Sequence, residues 1–156
     1  MRSLVATLEP RIGQEVAISP WRRLDQGQID QFAAISGDEQ WIHVDAARAG
    51  ASPFGATIVH GFLTLALLSG FMHETFAIEG AESAINYGLN RVRFLTPVRC
   101  GSRVRGRFVP LAVISVAGGV QVTWRVTVEL EGAPRAAAVA EWIVRYVEER
   151  RPASVT

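Results

Sequence analysis

From about His60 to Phe76 the chain is apolar nearly all round: Phe62, Leu63, Leu65, Ala66, Leu67, Leu68, Phe71 and Met72 leave no continuous polar face. A helix of that kind has to be covered on most sides, so the rest of the chain must wrap it. The longer apolar run from Phe54 to Met72 is interrupted by Gly55, His60, Gly61 and Gly70. It is only marginally long enough to cross hydrocarbon, and it reads as a core helix without membrane insertion.

The wrapping is supplied downstream. Val120, Val122, Trp124, Val126, Val128 and Leu130 alternate with Gln121, Thr123, Arg125, Thr127 and Glu129, the two-residue period of a half-buried strand. Gly118-Gly119 before this run and Glu131-Gly132 after it read as hairpin turns, so strands near 101–116 and 135–147 are expected to pair with it antiparallel. Residues 84–96 supply one more. Upstream, Pro20 confines a short strand within Glu15 to Leu24 to an edge. Asp25 and Gln28 form a capping box ahead of a helix carrying Ile29, Phe32 and Ala33. Residues 1–13 read as a loose lead-in, with Pro10 and Gly13 as breakers. Helices first and then an antiparallel meander give an α+β chain. A long apolar helix wrapped by a curved antiparallel sheet is the hotdog fold.

The length of 156 residues and a hydrophobic content of 49% suit one domain over 1–156, with a tail at 148–156. A net charge of +1 with scattered acids and bases leaves no footprint for nucleic acid. The chain has no lysine, which excludes Schiff-base chemistry. A single Cys100, without a Cys/His cluster, argues against a disulfide or structural zinc and suits a reducing cytoplasm. The N-terminus carries no secretory signal pattern.

The segment SGDEQWIHVD places Asp38 and His43 in a polar loop released by Gly37, ahead of the apolar helix. An acid/base pair beside a helix N-terminus combines groups that accept and deliver a proton with backbone N–H groups aimed at developing oxygen charge. Asp45 reads as the cap of a further helical turn over Ala46 to Gly50. His60 reads as ordering the helix entry, and His73 and Glu74 as groups at the helix end. Trp41 is equally suited to line a pocket or to anchor the loop.

The string FAAISGDEQWIHVDAARAGASPFGATIVHGFLTLALLS, with INYGLNRVRFLTPVRCGSRV downstream, resembles the MaoC-like (R)-specific enoyl-CoA hydratases, a hotdog family. The wording QWIHVD, FGATIVHGFLTL and INYGLN is most similar to its nodulation-protein-N-like branch. The resemblance implies that Asp38 and His43 are the catalytic pair and that Gly61 provides the backbone N–H of an oxyanion hole. It places Ser69 at a polar helix position that supports the pair in some members. Where many members have Asn-Pro, this chain has Gln40-Trp41; Gln40 keeps an amide able to hold water or thioester, with a longer reach, and loss of the proline loosens the loop. The implied substrate is an acyl-CoA thioester, with no metal or organic cofactor, in a homodimer whose sheets join edge to edge. Pairing would also cover an exposed strand edge. Arg91, Arg93, Arg99, Arg103 and Arg105 are candidates for coenzyme A phosphates, against the alternative of a solvated strand face.

Two other functions fit a hotdog chain. A thioesterase usually places a carboxylate on or beside the central helix, and here no acid occurs on it before Glu74. A non-catalytic acyl-binding partner subunit has no physical need for the Asp38, His43 and Gly61 set.

Overall fold

Asp25 caps the first long helix as its sequence predicts. In the computed structural model of the protein, which describes residues 4–148, the Asp25 carboxylate accepts from Gln28 N at 3.0 Å. The Gln28 side chain accepts from Asp25 N at 3.0 Å in return. This starts α2 (Gln26–Ser36), which ends at Gly37, where φ of 75° allows the Gly37 N–H to reach Ala33 O at 2.8 Å. Only glycine adopts that left-handed cap at little cost.

Ahead of α2 lie α1 (Leu4–Leu8), a 3-10 turn at Glu9–Arg11, β1 (Ala17–Ile18) and β2 (Arg22–Arg23). The expected loose lead-in is thus folded over its described part, because Leu8 is fully buried in the core. The strand expected within Glu15 to Leu24 is split around Ser19-Pro20-Trp21, and both pieces pair with one edge of the sheet. After α2 come α3 (Trp41–Val44), α4 (Ala46–Gly50), α5 (Gly61–His73) and four long strands. These are β3 (Ala81–Phe94), β4 (Arg103–Val116), β5 (Gly119–Leu130) and β6 (Ala138–Glu148). Of the expected tail, Glu148 closes β6 and the remainder lies outside the described residues, as do residues 1–3.

The sheet is antiparallel in the order β1-β4-β5-β6-β3, with β2 also on β4. Burial follows the two-residue period: Val120, Val122, Trp124, Val126 and Val128 are all buried, and their neighbours on β5 are not. Trp124 stands opposite Trp142 across β5 and β6 and donates to the Tyr146 hydroxyl at 3.1 Å. On β4, Gly106 leaves room for the helix: a Cβ there would sit 3.0 Å from the Phe71 ring of α5 and the Phe108 ring. Both phenylalanines are fully buried, each worth about 1.5–3 kcal/mol of apolar burial. The arrangement is the hotdog fold, with α5 packed on the buried face of the sheet.

One expectation needs correcting. α5 is apolar all round, yet only Thr64, Leu68, Phe71 and Met72 are buried, and Phe62 is 69% exposed. The sheet of a single chain is too narrow to enclose the helix, and it ends at β3. On that strand Ile85, Tyr87, Leu89 and Phe94 are exposed. No helix among the described residues is long and apolar enough to cross a membrane.

Candidate active site

His43 sits on α3, a single helical turn where the sequence pattern suggests only loop. The turn closes because the Gln40 carbonyl accepts from His43 N at 2.9 Å. Chain crossings then pin it in place. Ile58 N donates to Ile42 O at 2.9 Å, and Val59 N donates to Val98 O at 2.7 Å. The Gln26 side chain donates to His43 O at 2.7 Å while its carbonyl oxygen accepts from the buried Thr57 hydroxyl at 2.5 Å. Gln26 and Thr57 are positioning groups without a local sequence signal, since each looks like an ordinary polar residue until the chain brings them together.

The His43 ring is held in one orientation. Its Nδ1 lies 2.6 Å from the Ile58 carbonyl oxygen, which can only accept, so Nδ1 carries the hydrogen and Nε2 keeps the lone pair. That Nε2 faces Asp38, with Oδ2 at 3.9 Å. The separation is beyond a direct hydrogen bond, and a water oxygen can lie within hydrogen-bond distance of both. The two side chains differ in access: His43 is 7% exposed and Asp38 42%. The pair therefore sits at a mouth, with the base behind and the acid in front.

α5 begins beside this pair. His60, its N-terminal flanking residue, is buried, stacks on His43 with ring centroids 3.7 Å apart, and bonds through Nε2 to the Asp38 main-chain oxygen at 2.9 Å. Gly61 follows as the first helical residue, and first-turn N–H groups have no partner within the helix. A Cβ at Gly61 would lie 3.2 Å from three atoms of the Phe94 ring, so glycine lets that ring close on the helix start.

From Phe62 a groove of about 350 Å³ runs between α5 and β3, lined by Leu65, Ser69, Tyr87, Leu89 and Trp142 among others. A second cavity of about 250 Å³ shares Ser69, Asn86 and Trp142 with it and extends toward Phe76 and Tyr146. The walls are mostly apolar. Asp38 and His43 line neither cavity; they lie beyond the Gly61 end.

The sequence model of the MaoC like domain matches residues 7–132. The chain belongs to the MaoC-like dehydratase family. The 3-hydroxyacyl-thioester dehydratase Z of Mycobacterium tuberculosis is 50% identical over 144 residues, spanning 92% of this chain and 95% of its own. Nodulation protein N of Rhizobium leguminosarum bv. viciae is 45% identical over 157 residues, 97% of each chain. The solved structure of an (R)-hydratase from A. caviae involved in PHA biosynthesis superposes with a TM-score of 0.70 at 26% identity, covering 85% of this chain and 94% of that one.

The remaining candidate residues take separate places in this MaoC-like frame. Ser69 is two turns down α5 from Gly61, about 12 Å at the helical rise. It is bonded to Asn86 at 3.3 Å, and Asn86 in turn accepts from Trp142 Nε1 at 3.0 Å. Ser69 thus faces the groove rather than Asp38 or His43. Trp41 packs under the Arg48 guanidinium, 4.3 Å from charge to ring centre, and so anchors α3. Gln40 is the exposed N-terminal flank of that turn, and its side chain makes no capping bond to it. Asp45 caps α4 through Arg48 N at 2.9 Å, and Glu74 is paired with Arg22.

Of the arginines, Arg103 pairs with Glu131 at 3.0 Å and Arg105 with Glu129 at 2.6 Å, so each already has a carboxylate partner. Arg91, Arg93 and Arg99 are exposed and have no acidic partner among the described residues. Asp38, His43 and His60 bring ligand atoms within 4.8 Å of one another, the spacing of a candidate metal site. The stacking argues against shared ligation: a metal bound at about 2.0 Å in one ring plane lies well off the lone pair of a ring stacked 3.7 Å away.

Proposed function

We propose that this MaoC-like protein catalyses the reversible addition of water to a trans-2-enoyl thioester, giving the (3R)-hydroxyacyl thioester, with coenzyme A as the thiol. The observation that carries the reading is the fixed tautomer of His43, whose bare Nε2 faces the Asp38 carboxylate beside the first N–H groups of α5. Water held between Asp38 and His43 gives up a proton to the pair as its oxygen bonds to C3. The electron pair of the C2–C3 double bond moves toward the thioester oxygen, where the Gly61 N–H and the helix dipole stabilise it. The same proton then returns to C2, and the sum is one water added. Reversal is the dehydration named in the mycobacterial relative.

The thioester carbonyl sits at Gly61 and the acyl chain lies in the apolar groove that starts at Phe62. Arg91, Arg93 and Arg99, which have no acidic partner among the described residues, are the candidates for the phosphates. The chemistry needs no metal or organic cofactor. A thioesterase reading is less well supported, because Glu74 lies at the far end of α5 and is tied to Arg22. The exposed apolar residues Phe62, Ile85, Tyr87, Leu89 and Phe94 are those a second copy would cover in a homodimer, with β3 edges paired. A cytoplasmic setting suits the free Cys100.

Purified protein is expected to deplete the 2-enoyl absorbance of crotonyl-CoA and yield the 3R product on chiral analysis. No turnover on short and medium enoyl-CoA, or a 3S product, would overturn the assignment.

A further inference from the structure

His60 touches both members of the acid/base pair while being 2% exposed itself. Its Nε2 lies 2.9 Å from the Asp38 main-chain oxygen, so Nε2 carries the hydrogen and donates it. Its Nδ1 is buried and has no hydrogen-bond partner among the described residues. A proton there would create a buried cationic N–H with no protein acceptor, face to face with the His43 ring, and burial of such a charge is strongly unfavourable. His60 is therefore a neutral imidazole with one tautomer.

The stack gives that neutrality a consequence. The ring planes of His43 and His60 are 21° apart with centroids 3.7 Å apart, which puts the π face of His60 against His43. An aromatic face attracts a cation held over it, and His43 becomes cationic whenever it holds the water proton.

We propose that His60 is a positioning residue of the hydration site: its N–H fixes the main chain at Asp38, and its neutral ring steadies His43 as the imidazolium. The proposal deepens the hydratase reading and rests on it for its kinetic consequences alone. Among the described residues, the titratable groups clustered with His43 are Asp38, from the turn after α2, and His60, from the start of α5. α2 presents the uncharged Phe32 to His60, with ring centroids 5.0 Å apart, and α5 presents the Thr64 hydroxyl to the His60 carbonyl at 3.4 Å. Asp38 also favours the imidazolium, so the contribution of His60 is read only by changing His60 while keeping Asp38.

The test is an NMR pH titration of the imidazole nitrogens in the wild-type protein, His60→Gln and His60→Phe, with crotonyl-CoA kinetics alongside. Wild-type His60 should show a protonated Nε2 and a bare Nδ1 throughout the range in which His43 titrates. His60→Gln keeps an N–H but loses the ring, so the imidazolium form of His43 should lose stabilisation relative to wild type, and the acidic limb of kcat/KM should move to lower pH. His60→Phe keeps an aromatic face but loses the N–H. Its His43 midpoint should stay near wild type while kcat falls about 10- to 100-fold from misplacement of Asp38. A wild-type His60 that titrates with or before His43, or that carries its proton on Nδ1, would overturn the proposal. So would an unchanged His43 midpoint in folded His60→Gln. The NMR result stands apart from turnover, so failure of the hydratase reading would leave it intact, and the wild-type titration decides even if a variant does not fold.

Discussion

His43 has two jobs in this structure, and two substitutions separate them. Its Nδ1–H satisfies the Ile58 carbonyl at 2.6 Å, its ring stacks on His60, and its Nε2 faces the site. His43→Ala removes all three. Loss of the bond to Ile58 costs about 1–3 kcal/mol, and loss of the ring pair about 0.5–1.5 kcal/mol. Together these destabilise the fold by about 1.5–4.5 kcal/mol, or about 3–18 °C in Tm for a chain of this size. His43→Asn carries its amide nitrogen at the same number of bonds from Cα as Nδ1, so it can still donate to Ile58. It loses only the stack, and its Tm should fall by about 1–6 °C. Both variants lack the base, and both should lose about 100- to 10,000-fold in turnover. Thermal unfolding followed by circular dichroism, run beside crotonyl-CoA hydration, reads the two effects separately. A His43→Ala protein as stable as wild type, or a His43→Asn protein as unstable as His43→Ala, would refute the role given to the Ile58 bond.

Two further outcomes concern the scaffold. Arg107, through its hydrogen bonds to Glu15 and Glu129, holds both carboxyls below the usual carboxylate range. Because their folded values are depressed, the stabilisation is complete above the unfolded value and is lost as pH falls through the folded one. Urea midpoints should therefore decline on acidification across that window, and less steeply in Glu129→Gln; equal slopes would contradict the pairing. Gly106→Ala forces a methyl to within 3.0 Å of two buried phenylalanine rings. It should cost about 1–3 kcal/mol by overpacking, measured as a lower urea midpoint, and an unchanged midpoint would show that α5 lies farther from β4.

The parts of the fold that can be read from the chain are those set by local periodicity. β5 is one, because each residue from Val120 to Val128 alternates between core and exterior, and that difference is written into side-chain type. The cap of α2 is another, since Asp25 and Gln28 act within one turn. What periodicity does not contain is the width of the covering layer. The residues of α5 state what needs burying, but whether one sheet suffices depends on where β3 ends.

The site divides in the same way. Asp38, His43 and Gly61 are visible as residue types at a spacing, and the fold brings all three to one end of α5. The turn Trp41–Val44 has too few residues to show a period, and it exists because the 57–59 segment crosses it. Gln26 and Thr57 meet only through that crossing. Ser69 occupies a suggestive position on the helix, but its partner is decided by β3, which places Asn86 beside it.

The central claim is that Asp38 and His43 act on one water as a unit. The most direct measurement is kcat/KM for crotonyl-CoA hydration in Asp38→Asn, His43→Asn and the double variant, each checked for folding. Each single change should cost about 100- to 10,000-fold, and the double variant should be no worse than the poorer single, because residues that act together lose their contribution once. Losses that multiply in the double variant would show two independent contributions and contradict the account.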